Sequence, residues 1–475
     1  MRVSQTKVLS DEEIKLIHAG SLEVLRDAGA RVMDPEILSI LEGAGARVDH
    51  KTQIVCFPEE FTEKYIRTLP EQIKIWNRPQ TDYLTLGDGS VHCASGHNAI
   101  YVQELGSARI RDAAKKDVAE FAFLTDALEN LEVAGIVLMP RDVPEKASLV
   151  HAVDAMFNNT AKHIFFSPGT AGEAAAILDI ARAVTGSADL SKKPPLTCQL
   201  SPTSPLTWET GAVQALRLTV ESGAPVCFLP GPMGGAACPY TLAGHLIQYN
   251  AEMLTGIVIS QVIKPGAPVI YGGGWSIFDM RESIAKIATP ESGLLRIAGV
   301  QMSRFYRLPS QSMGLDSDSH TYDEQQGAEK LFTAMCDYLA GADLIVNGGM
   351  YSSGVTASLE QLVIDDEISG VLRRFMEGID FDPAKQAVEV IKEIGPGGEF
   401  LSSGHTVEYL RSGEHRLNEL SLRLPLRKWT ELGKPDLLSA ARGRVHALMS
   451  GRGAEPLGRD IKKNISEIIR CFEAK

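Results

Sequence analysis

Several short apolar runs end in wide turns of small residues, and these turns carry the residue types that could do chemistry. Three of them are Phe165-Phe166-Ser167-Pro168-Gly169, Ser201-Pro202-Thr203-Ser204-Pro205-Leu206 and Pro230-Gly231-Pro232-Met233-Gly234-Gly235. Three more are Gly272-Gly273-Gly274-Trp275, Gly314-Leu315-Asp316-Ser317-Asp318 and Asn347-Gly348-Gly349-Met350-Tyr351. Glycines here let backbone approach a flat ligand, or do no more than form a turn. Phe166, Met233, Trp275, Phe278, Met350 and Tyr351 add aromatic and thioether surface. Aromatic faces attract cations and are the usual way to hold a quaternary ammonium. The competing reading is that the same side chains pack helices onto strands. Trp275, after three glycines, is the best candidate for a cage.

Three carboxylates stand near these turns. Asp279 and Asp316 sit in loops, where Asp is more often a turn-former or helix cap than a catalyst. Glu252 follows Asn250 on a helical stretch, 245–262, and reads as a supporting contact between helix and strands. The eleven histidines form no HxH or HExxH pattern, and the seven cysteines include no CxxC pair. A metal-free protein is therefore expected. No GxSxG marks a hydrolase elbow, and no GxGxxG follows a strand to mark a dinucleotide site.

The elements that must position these turns recur regularly. Apolar runs at 133–139, 164–167, 196–200, 226–229, 269–271, 308–313 and 344–346 start about 30 to 43 residues apart, the length of a strand–helix unit. Phe400-Leu401-Ser402 is the candidate for an eighth. Such repetition predicts an α/β fold, a (β/α)8 barrel, whose active site lies at the strand C-terminal ends. Residues 1–125 are expected to form N-terminal helices and hairpins packed on the barrel, 126–405 the barrel, and 406–475 a helical appendage. Ser10 with Glu13 is a capping box opening the first helix. Further helices are expected at 35–42 and from Glu59 toward Leu69. Gly87-Asp88-Gly89 is a hairpin signal. Val91–Ala94 and Ile100–Gln103 are read as flanking a second tip at Gly96-His97-Asn98.

Composition narrows the function. Forty-seven Lys and Arg against sixty Asp and Glu give a formal charge of −13, unsuited to nucleic acid or to anionic lipid. No run of 18 apolar residues predicts a membrane span, and the polar N-terminus does not read as a secretory signal. A cytoplasmic protein is expected.

A family resemblance then emerges. Tyr249-Asn250-Ala251-Glu252-Met253-Leu254-Thr255-Gly256-Ile257, Pro202-Thr203-Ser204-Pro205-Leu206, Gln325-Gln326-Gly327-Ala328-Glu329-Lys330 and the segment 358–368 resemble the trimethylamine methyltransferase family. So does Leu25-Arg26-Asp27-Ala28-Gly29 leading to Asp34-Pro35. The resemblance implies a barrel that demethylates a methylamine and methylates the cobalt of a separate corrinoid protein. The cobamide would come from that partner, with no cofactor bound by this chain.

Archaeal trimethylamine enzymes of the family carry pyrrolysine before the Gln-x-Gly-x-Glu-Lys segment. Counting back from Gln325, that position here is Asp316. The departure points to the non-pyrrolysine members, which act on betaines such as glycine betaine, proline betaine or carnitine. A quaternary ammonium already has a neutral amine as leaving group, so no acid–base pair is required. Positive charge disperses in the transition state, so a loose cage is expected rather than a closed aromatic box. The betaine carboxylate would be met by His97, Asn98, Asn347, Arg281 or backbone N–H groups of the glycine turns. Asp316 either faces the ammonium or is a solvated loop residue. The alternatives are a non-catalytic betaine-binding barrel and a methyltransferase for another methylated amine. An aldolase would want a strand Lys, and the strand runs contain none. Barrels of this size often form homo-oligomers.

Overall fold

The computed structural model describes residues 3–417 and 420–474. Its centre is a barrel of eight parallel strands in sequential order. The strands are His92–Ser95, Val133–Gly135, His163–Phe166, Leu196–Leu200, Val226–Phe228, Val269–Tyr271, Gln311–Met313 and Leu344–Gly348. A bridge between Tyr271 and Ser310 joins the sixth strand to the seventh and closes the ring. Each strand is followed by a helix packed outside it, from Lys115–Ala127 after the first to Leu359–Glu377 after the eighth.

The barrel starts earlier than its periodicity suggested. Its first strand is His92–Ser95, inside the stretch assigned to the extension, and Phe400-Leu401-Ser402 is turn and bend rather than strand. The first strand reads His-Cys-Ala-Ser, with no large aliphatic or aromatic side chain, so its apolar signal is weak. The expected hairpin around His97 is also absent. His92–Ser95 belongs to the barrel, whereas Tyr101–Gln103 pairs with Ile110–Asp112 in another sheet. Likewise Gly87-Asp88-Gly89 is no hairpin tip; it leads from one hairpin strand into the barrel.

That hairpin, Ile73–Trp76 with Tyr83–Leu86, plugs the N-terminal end of the barrel. Ile73, Ile75 and Leu86 share one apolar cluster with Ala94, Val133, Phe165, Cys227, Ile270, Leu344 and Val346, the inward residues of six strands. Backbone bonds from Trp76 to Pro194 and from Arg78 to Ala161 pin it to the starts of the fourth and third strands. The bottom is therefore sealed, and access must come from the other end.

Three N-terminal helices, Asp11–Asp27, Pro35–Ala44 and Glu59–Ile66, cover the helix Leu242–Ile263. Ser10 and Glu13 form the capping box at the start of the first of them. Leu242–Ile263 has no solvent-facing polar stripe along Tyr249–Gln261, because every residue of that stretch is buried. At the strand C-terminal end, loops build two small sheets. One joins Tyr101–Gln103 and Ile110–Asp112 to Met350–Tyr351 and Thr356–Ala357, and the other joins Met233–Gly234 to Ser276–Asp279 and Ile284–Lys286. They stand over different arcs of the mouth.

Candidate active site

Alternation along the strands sends every second side chain into the barrel. Gln199, Cys227 and Ile270 are Cα partners on the fourth, fifth and sixth strands. The Gln199 amide nitrogen lies 2.9 Å from His97 Nε2, and Cys227 Sγ lies 3.6 Å from Gln311 Oε1. His97 follows the first strand, with its ring centroid 6.0 Å from that of Phe165. His97 Nδ1, Gln199 Oε1 and Gln311 Nε2 are all buried without a protein partner. Each such atom costs on the order of 1–3 kcal/mol in a protein interior, and native folds leave few. Burial pushes the His97 pKa down to about 4, so the ring is neutral at pH 7. With the Gln199 amide donating to Nε2, the ring proton sits on Nδ1 as an unused donor.

Asp316 is neither solvated nor open. It is 2% exposed, with Arg296 Nη2 at 2.6 Å from one carboxylate oxygen and Asn347 Nδ2 at 2.7 Å from the other. Burial pushes its pKa up, and the Arg296 charge pulls against that. Arg296 comes from the helix Pro290–Phe305 and also lies 3.8 Å from Asp337, whose pKa burial raises to about 6. Asn347 Oδ1 remains unpaired.

The surrounding loops are tied down by the segments that carried the family resemblance. Glu329 accepts hydrogen bonds from Ser317 Oγ and the Asp318 N–H, both at 2.8 Å. Lys330 donates to the carbonyls of Leu315 and Met350 and, at 2.9 Å, to Asp365. Asp365 also accepts from the Gly349 N–H, and Asp318 from the N–H groups of Ile287 and Ala288. The loops after the sixth, seventh and eighth strands are thus locked together. Glu252 does the same for the fourth-strand loop, accepting from Ser204 Oγ at 2.7 Å and the Leu206 N–H at 2.9 Å. Asn250 bonds Ser21, Tyr271 and Tyr306. Both side chains tie that helix to the elements around it.

The aromatic candidates separate. Trp275 is 2% exposed and stacks on Tyr249 at 3.8 Å, packed beside Gly299 of a surrounding helix. It joins barrel to helices rather than offering an open face. Phe166 also belongs to the helix-side core, while its neighbour Phe165 faces inward. The strand pleat decides between two adjacent Phe residues, and the run of apolar residues hid its phase. Met233 and Phe278 are half-buried in the small sheet formed by the fifth- and sixth-strand loops. Asp279 accepts from the Arg281 and Glu282 N–H groups and pairs with Lys286, which pulls its pKa down to about 2; it shapes its own turn. Tyr351 is buried, with its hydroxyl on Gln103. Asn98 is exposed, at φ 68°. The structure therefore brings His97 to the mouth and Asn347 to Asp316, and adds Phe165, Gln199, Gln311 and Arg296. Gln199 and Gln311 had a readable signal: each is a polar residue inside an otherwise buried strand run.

A parallel eight-stranded barrel, sealed below and carrying unpaired polar atoms of His97 and Gln199 toward its strand C-terminal ends, with Gln311 deeper inside, is built as an enzyme barrel. Within that class the chain belongs to the trimethylamine methyltransferase (MTTB) family, whose sequence pattern matches residues 1–473. It is 33% identical over 473 residues to trimethylamine methyltransferase MttB of Methanosarcina barkeri, covering 98% of this chain and 95% of that one. The glycine betaine methyltransferase of Desulfitobacterium hafniense (strain Y51) is 31% identical over 402 residues, covering 84% and 83%. The Methanosarcina barkeri monomethylamine methyltransferase MtmB shares the fold, with a TM-score of 0.50 at 11% identity over 94% of this chain and 96% of that one. The chain is a methyltransferase. Among the described residues, no helix is long and apolar enough to cross a membrane.

Proposed function

We propose that this protein moves a methyl group from a quaternary amine of the betaine class to the Co(I) of a separate corrinoid protein, leaving a tertiary amine. The carrying observation is Asp316. At the position where the pyrrolysine members place their reactive ring, this chain has a carboxylate already held by Arg296 and Asn347. It is committed to structure and is not free to activate an amine. A quaternary ammonium needs no activation: the electron pair of the broken N–CH3 bond returns to nitrogen, Co(I) supplies the pair for the new bond, and no proton moves. The chain has only to bind the substrate, aim one methyl outward and exclude water.

His97 Nδ1–H, Gln311 Nε2–H and the N–H groups of the glycine turns are the donors for the betaine carboxylate. Phe165 supplies an aromatic wall, and Met233 and Phe278 line the approach. The corrinoid protein covers the strand C-terminal face and brings the cobamide with it; this chain holds none of its own. The reaction runs in the cytoplasm, in keeping with seven cysteines that are all unpaired.

The test is calorimetric titration with glycine betaine, proline betaine, carnitine and trimethylamine, followed by methylation of a Co(I) corrinoid protein. One betaine should bind and yield methylated corrinoid, and trimethylamine should do neither. His97→Ala should weaken that binding about tenfold or more, the worth of one hydrogen bond to a charged group. Binding without methyl transfer would leave a betaine-binding barrel, and preference for trimethylamine would sink the reading of Asp316.

A further inference from the structure

By residue type Asn347 can donate to a carboxylate or accept from a cationic group, and its neighbours decide which. Its Nδ2 lies 2.7 Å from one oxygen of Asp316, and Arg296 Nη2 lies 2.6 Å from the other. Amide and guanidinium nitrogens donate and do not accept, so Asp316 is the carboxylate and takes the Asn347 N–H. That fixes which way the amide points. Its donor side is spent, and Asn347 is no donor for a betaine carboxylate. The atom left over is Oδ1, which has no protein partner although Asn347 is 1% exposed. A buried acceptor left open is a standing loss, and native folds keep few.

The backbone holds this amide in place. Asn347 lies near the end of the eighth strand with φ at 88°, in the left-handed region that Asn tolerates better than most residues. His97 is close by. The Gly96 N–H donates to the Gly348 carbonyl at 2.8 Å, and a Cβ on Gly96 would stand 3.2 Å from the Asn347 Cα. Behind the amide the charge is negative. Arg296 is shared between Asp316 at 2.6 Å and Asp337 at 3.8 Å, and all three side chains are buried. Lys330 is matched by Asp365 at 2.9 Å and does not offset the second carboxylate. The unpaired atoms around the mouth thus come in two signs. His97 Nδ1–H and Gln311 Nε2–H lack acceptors, and Asn347 Oδ1 and Gln199 Oε1 lack donors. A carboxylate relieves the first pair and a cationic group the second; a dipolar molecule relieves both.

We propose that Asn347 Oδ1 is the contact for the ammonium end of the substrate, and the residue by which the site tells a quaternary ammonium from a neutral group of the same shape. The inference rests on the betaine reading above and adds an orientation. The carboxylate lies toward His97 and Gln311, and the ammonium lies at Asn347, near the strand end from which cobalt must come. A quaternary nitrogen has no N–H, and its charge is spread over its methyl hydrogens. These make C–H···O contacts to an acceptor. The carboxylate on the Asn347 nitrogen polarises the amide and strengthens its oxygen as that acceptor. This supplies what the aromatic candidates do not, since Trp275 is packed in the core.

The test is calorimetric titration of each betaine beside its carbon isostere, in which a tert-butyl carbon replaces the trimethylammonium nitrogen. For glycine betaine the isostere is tert-butylacetate. The wild type should bind the betaine about tenfold or more tightly than the isostere. Asn347→Gly, which suits the left-handed backbone, should abolish that preference: betaine affinity falls about tenfold and isostere affinity stays within about twofold. In methyl transfer, KM for the betaine should rise by more than kcat falls, because the charge disperses in the transition state. A merely structural role would weaken both ligands together. Equal binding of betaine and isostere by the wild type, a comparison that needs no variant, overturns the proposal and leaves betaine-dependent methylation standing. So does a folded Asn347→Gly protein with its preference intact, or one that loses both ligands equally. A wild type that binds no betaine overturns this contact together with the reading it rests on.

Discussion

Two regions of this chain hold side chains in the wrong solvent, in opposite senses. Inside the barrel and at its mouth, polar atoms of Gln311, Gln199 and His97 are buried without partners. In the chain after the last barrel helix, Leu401, Leu410 and Leu417 stand in water. Each is a local loss that the isolated chain does not recover. A small polar ligand would relieve the first, and only an apolar surface would relieve the second. The difference lies in what surrounds them. The mouth is fixed on every side by Glu252, Glu329, Lys330 and the Arg296–Asp316 pair, so its geometry is set before substrate arrives. Between 379 and 437 the described residues have polar ties at Arg374, Lys385 and Glu414 and one buried side chain, Leu420.

The contrast would break most visibly at Arg296. Arg296→Met removes the cation facing both Asp316 and Asp337 and leaves buried carboxylates uncompensated. A loss of about 3–5 kcal/mol is expected in urea unfolding. Adding Asp316→Asn should recover part of it. A loss below about 1 kcal/mol would mean that the pair is solvated in solution and that the mouth is not rigid.

Trp275→Ala separates packing from binding. As a core residue stacked on Tyr249, it should cost about 3–5 kcal/mol of stability, with the betaine Kd nearly unchanged in the folded protein. An open cage would give the reverse, a binding loss of about 1–2 kcal/mol with stability intact.

The sequence made the repeat of strand and helix legible because each barrel strand is buried on both faces and reads as an apolar run. It placed the first strand in a hairpin rather than in the barrel, because His-Cys-Ala-Ser carries no large apolar side chain to mark it as one of the repeat. The family segments were visible as motifs, but their work was not: Glu329 and Lys330 act on loops far from them in the chain. Asp316 was found by position, and its partner Arg296 was missed because a helix interior gives no sign of which charge turns inward. The aromatic cage failed for the same reason as Phe166. Composition at a strand end does not tell which face a ring takes.

Acid sharpens the picture of the mouth. The His97 pKa of about 4 lies below the ~6.5 of a free imidazole, so between these values the unfolded chain takes a proton that the folded one refuses. The stability this withholds is fully present above pH 6.5 and is lost as pH falls toward 4. At pH 5 the His97 share is about 2 kcal/mol. His97→Gln should therefore shrink the difference in unfolding free energy between pH 7 and pH 5 by that amount. In the free wild type, the His97 ring should show no NMR titration between pH 8 and pH 5; a midpoint near 6.5 would mean that the site is open to water.

The smallest effect carries the most specific claim. Gln311 Nε2 is buried and unpaired, so Gln311→Met, similar in shape and without the amide, should stabilise the substrate-free protein by roughly 0.5–2 kcal/mol. The same change should weaken betaine binding and slow methyl transfer, because it removes a donor held in readiness for the carboxylate. Gain of stability with loss of binding would show that the mouth keeps its unpaired polar groups for a ligand. Loss of stability would mean that the Gln311 amide already has a partner, such as ordered water, in the free protein. The carboxylate would then be held by His97 and the glycine-turn N–H groups alone.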